Sequence, residues 1–186
     1  MKLFDILGGK VIIHPDALGI PAFNKVWDAD KADKEMATKY ISYIVLKNKF
    51  DSPYVESMYT EDIEPRLKKE LFGNEGYKLP KEALEAEQAY KDFNYTITLD
   101  MLEGLMGKLQ DAAKYYKESR GELLDLDSIK KLTDGAKNMS GVIKSIEDLK
   151  KAVRTEELNN TKVRGGAEIN PYELADGRSL GKSSRI

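Results

Sequence analysis

The stretch between residues 102 and 146 reads LEGLMGKLQDAAKYY (102–116), KESRGELLDLDS (117–128) and IKKLTDGAKNMSGVIKSI (129–146). In its first part Leu102, Leu105, Leu109, Ala112 and Tyr116 stand 3, 4, 3 and 4 residues apart, and in its last Ile129, Leu132, Ala136, Met139, Ile143 and Ile146 repeat that rhythm. This spacing lays apolar side chains along one stripe of an α-helix, as in the seam of a coiled coil. Ser119-Arg120-Gly121 breaks the pattern, and Asp127 is placed to cap the second helix. Two seams on a short connection predict an antiparallel helical hairpin in which each helix covers the stripe of the other.

Gly104, Gly107, Gly135 and Gly141 lie inside these helices. Each costs about 0.5–1 kcal/mol relative to alanine in a helix interior. On the heptad count Gly107 and Gly141 fall opposite the seam. Two readings stand: surface glycines that are merely tolerated, or places where another backbone packs closely, as when identical subunits stand side by side.

Working back toward the N-terminus, residues 94–98 interrupt the helical pattern. Before them a helix starts at Pro80, a favoured first-turn residue, with Leu84, Ala86, Tyr90 and Phe93 as its buried side. A shorter helix over Glu61–Phe72 places Pro65 in its first turn and ends at Gly73-Asn74. Asp30 caps a helix running to Asn48, with Met36, Tyr40, Ile41, Ile44 and Val45 inward, and Pro53 closes that segment.

The first zone, residues 1–27, is apolar but punctuated by Gly8-Gly9, Pro15, Gly19 and Pro21, with a β-branched run at Val11–Ile13. It predicts an arm with a helical turn and a short strand, buried either on its own body or on a neighbour. The last zone, residues 159–186, loses the periodicity. It carries Lys162, Arg164, Arg178, Lys182 and Arg185 against Glu168, Glu173 and Asp176, a local charge of 5 − 3 = +2; by composition alone it reads as a disordered tail, and the expectation is that it lies extended on other chains. The fold class is therefore mainly α: a helical bundle over residues 28–158 with a long antiparallel hairpin, and extended N- and C-terminal arms.

Composition narrows the chemistry. The chain of 186 residues has no cysteine and one histidine, which excludes disulfides, thiolate metal sites, a thiol nucleophile and a histidine-rich metal centre. Thirty basic against 32 acidic residues give a net charge of −2, unlike a surface built to grip nucleic acid. A charged fraction of 33%, above the roughly 25% of ordinary soluble domains, suits elongated solvated helices. No segment has the length and apolarity of a membrane span, and the opening Met1–Asp5 does not read as a signal peptide.

Local motifs that suggest chemistry fail on spacing. The stretch from Gly177 to Ser183 has three residues between its glycines where a phosphate-binding loop needs four. Gly8-Gly9-Lys10 lacks the rest of that motif. Asp28, Asp30 and Asp33 lack the glycine and glutamate of a calcium loop, and acids there suit a helix N-terminus. Asp125 and Asp127 read the same way. His14 has no nucleophile motif near it, and Glu82 with Glu85, or Glu156 with Glu157, sit on charge-rich helical faces. The ten tyrosines do not coincide with basic runs, and Tyr40, Tyr90 and Tyr116 fall on apolar stripes, so packing accounts for them better than base stacking. The expectation is a protein without catalytic residues, cofactor or metal.

Longer segments resemble a known family. These are Phe4-Asp5-Ile6-Leu7-Gly8-Gly9-Lys10, Ile13-His14-Pro15-Asp16, the helix from Ala37 to Asn48, Val163-Arg164-Gly165-Gly166 and Ile169-Asn170-Pro171-Tyr172-Glu173-Leu174. Over most of the chain the sequence resembles the ring or head-to-tail connector proteins of crAss-like tailed bacteriophages. The resemblance implies a virion protein assembled in the host cytoplasm: a homo-oligomeric ring, twelvefold to match a portal, that stacks on portal and adjacent ring or tail proteins and continues the DNA channel. Contacts with partners are expected at Phe4, Ile6, Val11, Ile12 and Ile13 in the N-terminal arm, at Gly107 and Gly141 on the hairpin, and at Arg164, Tyr172, Leu174 and Arg178 in the tail. Packaged DNA would lie close without being bound specifically, and no membrane is involved. The competing readings are an internal packaged or scaffold-like phage protein, a helical adaptor outside any virion, and an enzyme using carboxylates on a bundle.

Overall fold

The computed structural model describes residues 3–119 and 126–165, with 158–165 as backbone only. The molecule is mainly helical, as the periodicity predicts.

The N-terminal zone folds onto its own body. Strands β1 (Phe4–Leu7) and β2 (Lys10–Ile13) form an antiparallel hairpin in which Phe4 faces Ile13 and Ile6 faces Val11. Gly8 and Gly9 both take positive φ, 57° and 78°. That geometry matches the twist of the strands across a two-residue turn and is open to glycine at little cost. Alternation then sorts the side chains. Phe4 is buried, Ile6, Val11 and Ile13 pack against the core, and Leu7 and Ile12 stay exposed. A 3₁₀ turn (Pro15–Gly19) leads into α1 (Pro21–Ala29), which buries Phe23 and Val26. The Phe4 ring lies 5.1 Å from Phe23 and 5.8 Å from Tyr90. This zone is therefore not an extended arm but a built part of the body.

Helix α2 (Glu35–Asn48) is the axis of that body, and every residue from Ile41 to Leu46 is buried. Asp30 caps it from a distance: its carboxylate accepts the N–H groups of Met36 at 3.0 Å and Ala37 at 3.2 Å. The residue at the helix start is instead Lys34, left-handed at φ 64°. Its ammonium donates to the carbonyls of Trp27 and Asp30, which holds the turn. Pro53 does not simply close the segment. It opens a short helix, α3 (Pro53–Ser57), capped by Ser52, whose hydroxyl accepts from Val55 N and donates to the Leu46 carbonyl.

Helix α4 (Thr60–Phe72) begins one residue earlier than expected, and Pro65 lies in its second turn, not the first. Its end is the expected one: Gly73 is left-handed at φ 75° and donates to Lys69 O. Helix α5 (Lys81–Asn94) buries Ala83, Ala86, Glu87 and Tyr90, while Leu84 is 52% exposed. The buried stripe differs from the expected one because a glutamate, Glu87, occupies one of its positions.

Helices α6 (Ile97–Glu118) and α7 (Leu126–Gly165) form the expected hairpin. Thr96 caps α6 through Leu99 N at 3.1 Å. Helix α7 has 40 residues, about 60 Å of rise. It runs past Asn159, where the tail was expected to begin, as far as Gly165. Asp127 falls inside its first turn, where a carboxylate meets the helix dipole favourably.

Candidate interaction surface of the helical hairpin

The hairpin has its own small core. Leu102, Ile146 and Val153 are buried there with Phe50 from the body, and Leu99, Leu105, Met106, Leu109, Val142 and Leu149 pack around them. On α6 this is the expected seam. On α7 it is not: the least exposed line is Leu132, Gly135, Met139, Val142, Ile146, Leu149 and Val153, while Ile129 and Ile143 are 47% and 46% exposed and Ala136 is exposed too. Leu132, Met139 and Ile146 lie on both the expected row and the observed one; Gly135, Val142 and Leu149 take the places expected of Ala136, Ile143 and their neighbours. The apolar face of α7 is wider than one partner helix covers, and a glycine on the true seam hid its register.

Gly135 is where two backbones approach through a side chain. The Tyr116 hydroxyl donates to Leu132 O at 2.9 Å, and a Cβ on Gly135 would sit 2.6 Å from that hydroxyl oxygen. Gly104, Gly107 and Gly141 meet nothing within 4 Å of an added Cβ. Close approach within the chain thus falls at Gly135, and the space above Gly107 and Gly141 is open.

Two rows on the hairpin face away from its seam. On α7, Leu126, Ile129, Thr133, Ala136, Ser140 and Ile143 are all exposed at spacings of 3 and 4. On α6, Ile97, Met101, Gly104, Lys108, Asp111 and Tyr115 are exposed at the same spacings. Lys130, Lys137, Lys144 and Lys151 run along the outside of α7 seven residues apart. Lys137 pairs with Asp134 and Lys151 with Asp148 three residues earlier, whereas Gly141 stands where Lys144 would find such an acid.

Polar contacts fasten the hairpin to the body. Gln110 accepts from Thr60 N and Oγ1 and donates to Met58 O. Lys114 bonds Glu61 at 2.5 Å and Lys150 bonds Glu56 at 2.8 Å, while within the hairpin Thr98 of α6 donates to Glu156 of α7 at 2.6 Å. Phe50 sits under two cations, Lys49 at 5.1 Å and Arg154 at 6.0 Å from its ring centre.

The densest charge cluster in the body joins α2, α4 and α5. Lys47 lies 2.9 Å from Glu64 and 3.1 Å from Glu87, Lys68 adds a second contact to Glu64 at 2.7 Å, and Asn48 donates to Glu87 at 3.3 Å. Hydrogen bonds from Lys68 and Lys47 hold the Glu64 carboxyl down at about 2. Burial pushes Glu87 up, but Lys47, Lys91 and Asn48 together outweigh it and the carboxyl stays below its usual range. Burial also works against the Lys47 ammonium, yet its acidic partners hold it above the usual lysine range. All three groups are driven away from neutrality, so they stay charged near pH 7 and serve as a clasp, not as proton carriers.

Phe4, Ile6, Val11 and Ile13 are core-facing, and only Ile12 of that set is exposed. Arg164 lies on the α7 backbone, with its side chain outside the described residues, as are Tyr172, Leu174 and Arg178 entirely. His14 Nε2 bonds Asp5 at 2.9 Å beside the β-hairpin. Asp30 and Asp33 accept backbone N–H groups at the start of α2, Asp28 is exposed, and no group of three His, Asp or Glu converges on a metal position among the described residues. No helix among them is long and apolar enough to cross a membrane. No family model, curated protein or solved structure matches the chain.

Proposed function

We propose that this chain is a non-enzymatic virion protein that forms an oligomeric ring in the portal-to-tail connector of a tailed bacteriophage and continues its DNA channel. The resemblance of its sequence segments to connector proteins supplies the virion. The observation that carries the self-assembly is the hairpin's surface: Ile97, Met101, Tyr115, Leu126, Ile129 and Ile143 are exposed on two helices. Their own seam is already filled. Large apolar side chains concentrated on one element mark an interaction face. The stiff hairpin acts as the wedge of the ring, and a near-neutral surface suits a channel that DNA must pass through without sticking.

The test is mass measurement and imaging of the purified protein with and without a portal ring. The reading expects a closed oligomer that joins the portal. A monomer or dimer that never joins it contradicts the reading and favours an adaptor outside the virion.

A further inference from the structure

We propose that the two uncovered rows of the hairpin are the two halves of one contact, in which the α7 row of one copy receives the α6 row of the next copy of this chain. This rests on the ring reading above and names the surfaces that close the ring. Each copy gives its α7 row to one neighbour and its α6 row to another, so the pairing is heterologous, head to tail, which is the kind that generates rings. They also match in length. Leu126 to Ile143 and Ile97 to Tyr115 each rise about 26–27 Å at 1.5 Å per residue.

Charge selects the occupant. Lys130, Lys137 and Lys144 edge the α7 row, and the exposed acids Asp100, Asp111 and Glu118 lie in or beside the α6 row, with Lys108 as its one base. An antiparallel two-fold pairing of α7 rows would set lysine edge against lysine edge, and like charges across an interface suppress that partner. The α6 row offers the opposite sign. Gly104, Ala136 and Ser140 keep the middles of both rows low, which lets the two backbones come close.

The experiment exchanges the charges. Two full-length variants are made, Lys137→Glu with Lys144→Glu, and Asp111→Lys with Glu118→Lys, and circular dichroism checks that each keeps its helical content. Sedimentation then follows assembly of the wild type, each variant alone, and their equimolar mixture. Each variant alone should self-associate roughly tenfold or more weakly than the wild type. The mixture should regain the wild-type mass, because alternating copies present opposite charges at every contact, and a single chain carrying all four substitutions should regain it too. Assembly of either variant at wild-type strength, or a mixture that stays dissociated, overturns the proposed contact while leaving the ring in place. A wild-type chain that is monomeric at every concentration removes the ring itself.

Discussion

The body and the hairpin bury their apolar residues in different ways, and the sequence advertises them in inverse proportion to their burial. The body core gathers Leu3, Phe4, Ala17, Phe23 and Val26 with the centre of α2, Ile63, Leu67, Ala86 and Tyr90. The hairpin buries Leu102, Ile146 and Val153, helped by Phe50. Yet the hairpin has the clearest heptads. A helix with one partner must restrict its apolar residues to a stripe, whereas α2, enclosed on all sides along Ile41–Leu46, has no stripe to show and reads as an apolar run. A conspicuous period signals a helix that is largely solvated, and a solvated helix has surface left for others.

The largest expected effect separates the two regions by stability. Phe23→Ala, at the junction of β1, α1 and α5, lowers the unfolding free energy by about 3–5 kcal/mol. Ile143→Ser on the outer row changes it by no more than about 0.5 kcal/mol in the dilute chain. Chemical denaturation of both variants checks this, and a comparable loss for Ile143→Ser would place that residue in a core.

Phe50 is the body's buried residue in the hairpin core. Phe50→Ala costs about 3 kcal/mol or more and uncouples the two regions. A single unfolding transition then divides in two, and amide exchange in α6 and α7 quickens before that in α2.

A smaller, pH-dependent effect belongs to the body alone. Glu64 has its carboxyl pulled from 4.5 to about 2 in the fold. A depressed carboxyl contributes stability above its unfolded pKa and loses it as pH falls through the folded value. Stability therefore drops between about pH 4.5 and 2, and Glu64→Gln flattens that limb. Glu64 is partly exposed, so solvent screening keeps the effect modest.

The smallest effect tests the hairpin seam at Gly135. Replacing it with alanine gains about 1 kcal/mol of helix propensity but displaces the Tyr116 hydroxyl from Leu132 O, a bond worth about 1 kcal/mol. Gly135→Ala should be near neutral in the wild type and stabilising by about 1 kcal/mol in Tyr116→Phe, where the hydroxyl is already gone. Equal effects in both backgrounds would mean that Tyr116 does not cross to α7.

The elements whose ends are fixed by local chemistry were legible: the stop at Gly73, the start beside Pro80, the reach of Asp30 to α2, and the α6 seam. What depends on tertiary partners was not. Strand β1 pairs only because Gly8-Gly9 turns it back on β2, and nothing in Phe4–Leu7 alone calls for a strand. Leu84 and Ile143 look buried by composition, but Glu87 is the buried residue on α5, where Lys47 neutralises it, and half-buried Gly135 stands on the α7 seam, where Tyr116 needs the room. The Lys47 clasp was invisible because its members lie 17 and 40 residues apart in sequence.

The absence of cysteine in the chain makes one measurement direct. Cysteine is introduced singly at Val142, on the seam, and at Ile143, on the outer row, and thiol labelling is timed in dilute and in assembled protein. Residue 142 should label slowly in both states, and residue 143 quickly when dilute but slowly once assembled. Slow labelling at 143 in the dilute chain, or labelling at 143 that assembly leaves unchanged, would contradict a hairpin that closes on itself with one row and builds the ring with the other.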